Sequence, residues 1–270
     1  MPSVVRAFTL VVAVLTFAAP PLAAQKETPP EPQLNQPGKD VQWVPTPPEL
    51  AEKMLDLARL TPEDRFVDLG SGDGVLVIAA ARRGARAKGI EYDRGLVDLS
   101  KRRAREAGVS DRTRFVRGDI FKTDFSTATV VTTFLLPSMN LQLRPTFLAM
   151  KPGTRIVANT FAIGDWQPDE TTTIDPCERW CKAMLWIVPA RVGGVWRTPQ
   201  GELTLTQRFQ FFTGTLGREP IEDGRLRGET ISFRVGGARY SGRVTDDRMR
   251  VSAMVDGKEI AWTARPVPRQ

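Results

Sequence analysis

The stretch Val67-Asp68-Leu69-Gly70-Ser71-Gly72-Asp73-Gly74 decides the fold. A short apolar run, Arg65 to Leu69, predicts a buried strand. The glycines predict a sharp turn, and Val75 to Arg83 predicts the helix that follows. Downstream the alternation continues. Strands are expected at Ala87 to Tyr92, Arg114 to Arg117, Ala128 to Phe134 and Arg155 to Asn159, and helices at Leu96 to Ala107 and Asn140 to Met150. Upstream, Thr46-Pro47-Pro48-Glu49 has the form of a capping box with proline at the first helical position. Such alternation predicts an α/β fold, a doubly wound and mostly parallel Rossmann-like sheet with helices on both faces.

An open parallel sheet binds its ligand at the strand-to-helix turns. Gly70 and Gly72 let the backbone bend and approach a ligand closely. A dinucleotide site wants G-x-G-x-x-G with a pyrophosphate at the helix N-terminus. Here Asp68 precedes the turn and Asp73 lies inside it, and negative charge there repels a pyrophosphate. It suits a ligand carrying an ammonium and a sulfonium, as S-adenosylmethionine does. Glu91 at the end of the second strand is placed to accept ribose hydroxyls, and Asp119 after the third to receive an adenine amino group. The bland alternative is an unliganded α/β domain with loop glycines and capping aspartates.

VDLGSGDG, GIEYD and RGD resemble the successive motifs of class I S-adenosylmethionine-dependent methyltransferases. Val44-Pro45-Thr46-Pro47 and Thr133-Phe134-Leu135-Leu136-Pro137 narrow the likeness to bacterial and archaeal relatives of the mitochondrial lysine methyltransferases acting on the c-subunit of ATP synthase. The likeness covers roughly Val41 to Trp166. It implies cofactor contacts at Asp68, Gly70, Ser71, Gly72, Glu91, Tyr92, Asp119, Ile120 and Thr46, and it implies a protein acceptor with lysine the first candidate. One departure stands out: a His-Asp-Phe-like segment is expected after the fifth strand, and this chain has Asn159-Thr160-Phe161. No catalytic residue is assigned. Asp165 is a weak candidate for a base, with solvated surface its simpler role. Asn140 is expected to cap its helix. A small-molecule methyltransferase and a non-catalytic envelope binding module that kept the fold are the competing readings.

The flanks carry other signals. Arg6 followed by the apolar run Ala7 to Ala19, then Pro20-Pro21-Leu22-Ala23-Ala24, predicts a signal peptide over 1–24 and export to the periplasm or cell envelope. No transmembrane span is expected after cleavage. Residues 25–41 read as a disordered linker, 42–170 as the methyltransferase domain and 182–267 as a β-rich domain. In the last, Leu203, Leu205, Phe209 and Phe211, then Ile231, Phe233 and Val235, recur at strand period between glycine and aspartate turns. A small antiparallel barrel or curled sheet is expected there. Cys177 and Cys181 form either a local disulfide or a pair of free structural thiols. The tryptophans of the C-terminal half, Trp166, Trp180, Trp186, Trp196 and Trp262, are expected in the core, with the lining of a ligand pocket as the alternative.

The chain has no histidine, and its 38 Lys and Arg against 31 Asp and Glu leave a net charge of +7. Without histidine, and with only two cysteines, no metal site is expected. The positive balance reads first as a basic, soluble surface, with an acidic partner as the alternative. Nucleic acid is not expected, because the Asn/Asp-Pro-Pro-Tyr/Phe type of motif is missing and an exported protein rarely meets DNA.

Overall fold

The computed structural model describes residues 33–36 and 40–268. The segment expected to be a signal peptide, 1–24, and most of the expected linker lie outside the described residues. The linker residues that are described take a defined shape. A turn at Leu34-Asn35 is closed by Asn35 N–H donating to Trp43 O (2.9 Å) and Trp43 N–H donating to Gln36 O (3.1 Å). Trp43 anchors that segment, which corrects the expectation of disorder there. Among the described residues no helix is long and apolar enough to cross a membrane.

The chain first runs α1 (Pro48–Leu57), β1 (Arg65–Leu69), α2 (Val75–Arg82), β2 (Arg86–Glu91), α3 (Arg94–Glu106), β3 (Thr113–Arg117), β4 (Val130–Thr133), α4 (Pro137–Ala149) and β5 (Arg155–Asn159). Then come β6 (Glu170–Thr173) and β7 (Lys182–Ile187). These strands form one mixed sheet in the order β3-β2-β1-β4-β5-β7-β6, in which β7 runs antiparallel to both its neighbours. The strand order reverses between β1 and β4.

Alternation along the strands builds two cores. Phe66, Val130, Val157, Ala183 and Leu185 face α1 to α3, with Leu50, Met54, Leu76 and Val97 packed on them. Val67, Val131, Ile156, Ala158, Met184 and Trp186 face the other way, against Leu143 and Phe147 of α4. Strands covered on both faces read as unbroken apolar runs. Lys182–Ile187 is such a run, which is why it joins β5 instead of opening the C-terminal domain at 182. The parallel-sheet region therefore extends through Ile187.

The remaining strands are β8 (Gly194–Thr198), β9 (Gly201–Arg208), β10 (Phe211–Leu216), β11 (Glu219–Pro220), β12 (Glu222–Arg227), β13 (Thr230–Val235), β14 (Ala238–Thr245), β15 (Arg248–Val255) and β16 (Lys258–Pro266). Antiparallel pairing follows β10-β12-β13-β14-β15-β16-β8-β9, and β9 pairs back to β10, closing a barrel. Its interior is filled by side chains, among them Trp196, Leu203, Leu226, Phe233, Tyr240, Met249 and Trp262. The period-two pattern at Leu203 and Leu205 and at Ile231, Phe233 and Val235 is the inside-outside alternation of these strands. Phe209 and Phe211 depart from it: Phe209 stacks on Trp166 outside the barrel, and Phe211 is exposed while its neighbour Phe212 points inward, because the turn between β9 and β10 resets the alternation.

Barrel and sheet are joined by buried polar contacts. Trp186 Nε1 donates to Trp166 O (2.8 Å), and Trp166 Nε1 donates to Gln210 Oε1 (2.9 Å). Gln210 Nε2 donates in turn to Gln167 O (2.7 Å). Trp166 also stacks on Phe209, with ring centroids 5.9 Å apart.

Candidate active site

A cleft of about 470 Å³ opens along the carboxyl edge of the parallel strands. Its contributors follow the sheet order. Gly118, Asp119 and Ile120 come from the end of β3, and Glu91 and Tyr92 from β2. Asp68, Gly70, Ser71 and Gly72 come from β1 and its turn. Beyond the switch point, Phe134, Leu135 and Leu136 follow β4, Met139 sits in α4, Phe161 follows β5 and Trp180 precedes β7. Asp40 to Thr46 close one side.

The glycine turn is held from several directions. Gly70 and Ser71 N–H both donate to Ile90 O, at 2.9 and 3.1 Å. Glu91 ties β2 to the turn: its Oε2 accepts from Gly72 N–H (2.9 Å), while its Oε1 accepts from Asp93 N–H (2.8 Å). Ser100 Oγ donates to Gly72 O (2.8 Å). Gly72 has φ +51°, and a Cβ there would lie 2.5 Å from Trp43 Nε1. Gly72→Ala is therefore expected to push Trp43 off the turn and weaken cofactor binding about tenfold or more, since both the left-handed backbone and the close contact oppose a methyl group. Calorimetric titration checks this, and unchanged affinity would contradict it.

Asp68 is buried beneath the turn, where its Oδ1 accepts from Thr132 Oγ1 (2.7 Å). Burial pushes its carboxyl up to about 7; the Thr132 hydrogen bond opposes the rise, and the charges of Glu91 and Asp73 add to it. Asp73 forms an ion pair with Arg103 of α3. Asp119 Oδ1 accepts from Phe121 N–H (2.9 Å). The Ser71 hydroxyl is buried without a hydrogen-bond partner.

All nine residues singled out from the sequence line this one cleft, Thr46 included. Thr46 does so without forming the expected capping box. Pro47 is the N-cap of α1 and no side chain caps it, while Thr46 Oγ1 accepts from Asn159 Nδ2 (3.3 Å). Asn140 is no cap either, since Leu136 holds that position. Asn140 is fully buried inside α4, and its Nδ2 donates to Phe161 O (3.0 Å). Asp165 does not line the cleft. It lies on the surface between Arg208 and Arg144, which hold its carboxyl down to about 2, so it is unsuited to take a proton. Cys177 and Cys181 are disulfide-bonded. Four of the five C-terminal tryptophans singled out are buried, as expected, but Trp180 faces the cleft. Sequence reading missed Trp43, Phe134 and Phe161 as cleft residues, and for Trp180 it ranked the core above the pocket role the structure shows. Only the TFLLP segment offered a local signal for one of them.

The charge in the cleft is one-sided. Asp40, Asp68, Asp73, Glu91 and Asp119 line it, and no lysine or arginine does among the described residues, although the chain as a whole carries +7. Such a site repels phosphate and attracts a cation. The carboxylates gather over β1 to β3, and the half over β4, β5 and β7 is apolar and aromatic.

Comparison with known proteins agrees with this geometry. Residues 68–170 match the family model of the ANTKMT methyltransferase domain. A protein-lysine N-methyltransferase of Saccharolobus islandicus is 37% identical over 138 residues, half of this chain and 86% of that protein. The Mus musculus lysine N-methyltransferase of the ATP synthase c-subunit is 36% identical over 132 residues, 48% of this chain and 53% of its own length. The chain thus spans about half the length of that mouse relative. An RNA methyltransferase from Salinibacter ruber, solved with S-adenosyl-L-homocysteine, is 45% identical with a TM-score of 0.52, covering 55% of this chain and 96% of that one. Fold and cleft together define an S-adenosylmethionine-dependent methyltransferase. Within that class the chain belongs to the ANTKMT methyltransferase family, alongside protein-lysine N-methyltransferases.

Proposed function

We propose that the chain methylates a lysine side chain of a protein, and that the acidic half of the cleft holds the cofactor. The observation that carries this reading is the cleft lined by five carboxylate residues, of which Asp73 is paired with Arg103, and by no lysine or arginine among the described residues. Asp68 and Asp119 supply charge for a cationic, amino-bearing ligand. Glu91 presents its carboxylate beside Gly72 N–H, where ribose hydroxyls could share it. Gly70, Ser71, Gly72, Tyr92, Ile120 and Thr46 shape the walls, and the unpartnered Ser71 hydroxyl is a ready hydrogen-bonding group. The sulfonium supplies an already activated methyl group, so positioning accounts for most of the rate. No carboxylate lines the half over β4 and β5. A lysine amine entering there loses its proton to water before it attacks the methyl group. The apolar run Ala7 to Ala19 supports the reading that this takes place outside the cytoplasm.

An RNA acceptor is the second reading, favoured by the likeness to the Salinibacter ruber protein. Among the described residues no lysine or arginine lines the cleft, which speaks against it, because phosphate contacts dominate nucleic-acid affinity.

Methyl-labelled S-adenosylmethionine, incubated with the chain and separate protein and RNA extracts, distinguishes the two. Label recovered as methyl-lysine after hydrolysis is the expected result. Label confined to RNA would establish the second reading. A folded chain that binds no S-adenosylmethionine by calorimetry would overturn both.

A further inference from the structure

Three aromatic rings meet at the apolar end of the cleft. Phe134 and Phe161 lie nearly parallel, with centroids 6.2 Å apart and planes at 22°. Trp180 meets Phe134 edge-on at 5.4 Å and lies tilted to Phe161 at 5.6 Å. All three are only partly buried and all three line the cleft, so they are not simply core. They descend from β4, β5 and the β6–β7 hairpin, across the switch point from Asp68.

The backbone at these rings is unusual. Trp180 itself has φ +59°, and Thr160, next to Phe161, also has φ +59°. Non-glycine residues hold such conformations only where their surroundings enforce them, and they cluster at functional sites. The enforcement is visible. Cys177 and Cys181 bracket Trp180 with a disulfide, Ile174 N–H donates to Cys181 O (3.0 Å), and Thr160 N–H donates to Lys182 O (2.7 Å).

Aromatic faces attract alkylated cations, and among the described residues the lining beside these rings is Leu135, Leu136 and Met139, with no charged side chain. During methyl transfer the carbon–sulfur bond breaks with its electrons going to sulfur, and a carbon–nitrogen bond forms from the amine lone pair. The positive charge therefore arrives on nitrogen. Rings placed where that charge arrives favour the transition state over the neutral amine. We propose that Phe134, Phe161 and Trp180 form a subsite for an alkylammonium group, and that this subsite selects an aliphatic amine and holds its methylated products. The proposal rests on the methyltransferase reading of the same cleft. It further implies that a hydroxyl acceptor is disfavoured.

The test uses the full chain saturated with S-adenosylhomocysteine. It is titrated at constant ionic strength with choline and with 3,3-dimethylbutan-1-ol, which has the same shape without the charge. Choline should bind roughly tenfold tighter. Trp180→Leu and Phe161→Leu should each weaken choline binding roughly three- to tenfold while S-adenosylhomocysteine affinity is retained, and Trp180→Phe should keep most of the choline binding. Equal binding of choline and its neutral counterpart would overturn the subsite, as would Trp180→Leu binding choline like wild type. Failure of S-adenosylhomocysteine to bind wild type is a separate result: it would overturn the cofactor site and with it the basis of the proposal.

Discussion

The affinity of the wild-type chain for S-adenosylmethionine is expected to fall about tenfold for each pH unit below 7, and Asp68→Asn is expected to remove that slope. Burial, helped by the charges of Glu91 and Asp73, raises the Asp68 carboxyl to about 7 in the folded chain against the hydrogen bond from Thr132. A cationic ligand needs the ionised form, so binding from below pH 7 must expel a proton. The sign for folding is opposite. A folded-state value above the unfolded one near 4 means that the contribution to stability is complete below about 4 and is lost as pH rises through 7. Without ligand the chain should lose stability across that window, and saturating S-adenosylmethionine should offset the loss. Calorimetry and thermal melts between pH 5.5 and 8.5 check both signs. A flat affinity profile for wild type would show that Asp68 does not meet the cation.

Trp166→Ala should produce the largest loss of stability of any single change considered, about 3–5 kcal/mol, as is typical for emptying a buried aromatic site. Trp166 is 1% exposed, stacks on Phe209, and carries the chain of hydrogen bonds from Trp186 to Gln210. Its removal therefore also leaves the buried Gln210 carbonyl oxygen without its donor. Urea unfolding monitored by fluorescence and circular dichroism measures the loss. Trp166→Phe keeps the ring and should cost less. A loss below about 1 kcal/mol for the alanine variant would mean that barrel and sheet stand without this contact.

The halves of the cleft differed in how plainly the sequence announced them. The carboxylates are local features. Asp68, Glu91 and Asp119 each stand at the end of an apolar run, so a period-two reading finds them one at a time. The rings are brought together only by strand order. Phe134, Phe161 and Trp180 become neighbours because β5 and β7 follow β4 in the sheet, and no local pattern encodes that adjacency. Lys182–Ile187 was misassigned for a related reason. A buried strand looks the same whichever sheet receives it, and its partner β5 lies beyond the reach of periodicity. Asp165 looked available because its two arginines come from α4 and from the barrel, both distant in sequence. Thr46 gave way as a cap because the interior, through Asn159, takes its hydroxyl.

The closed barrel changes what a truncation would do. β16 is the last strand among the described residues, yet it lies between β15 and β8, inside the ring. Shortening the chain past residue 258 would not trim a tail. It would pull a stave from a cask, leaving two facing rows of unpaired amides and carbonyls ready to recruit a strand from another molecule.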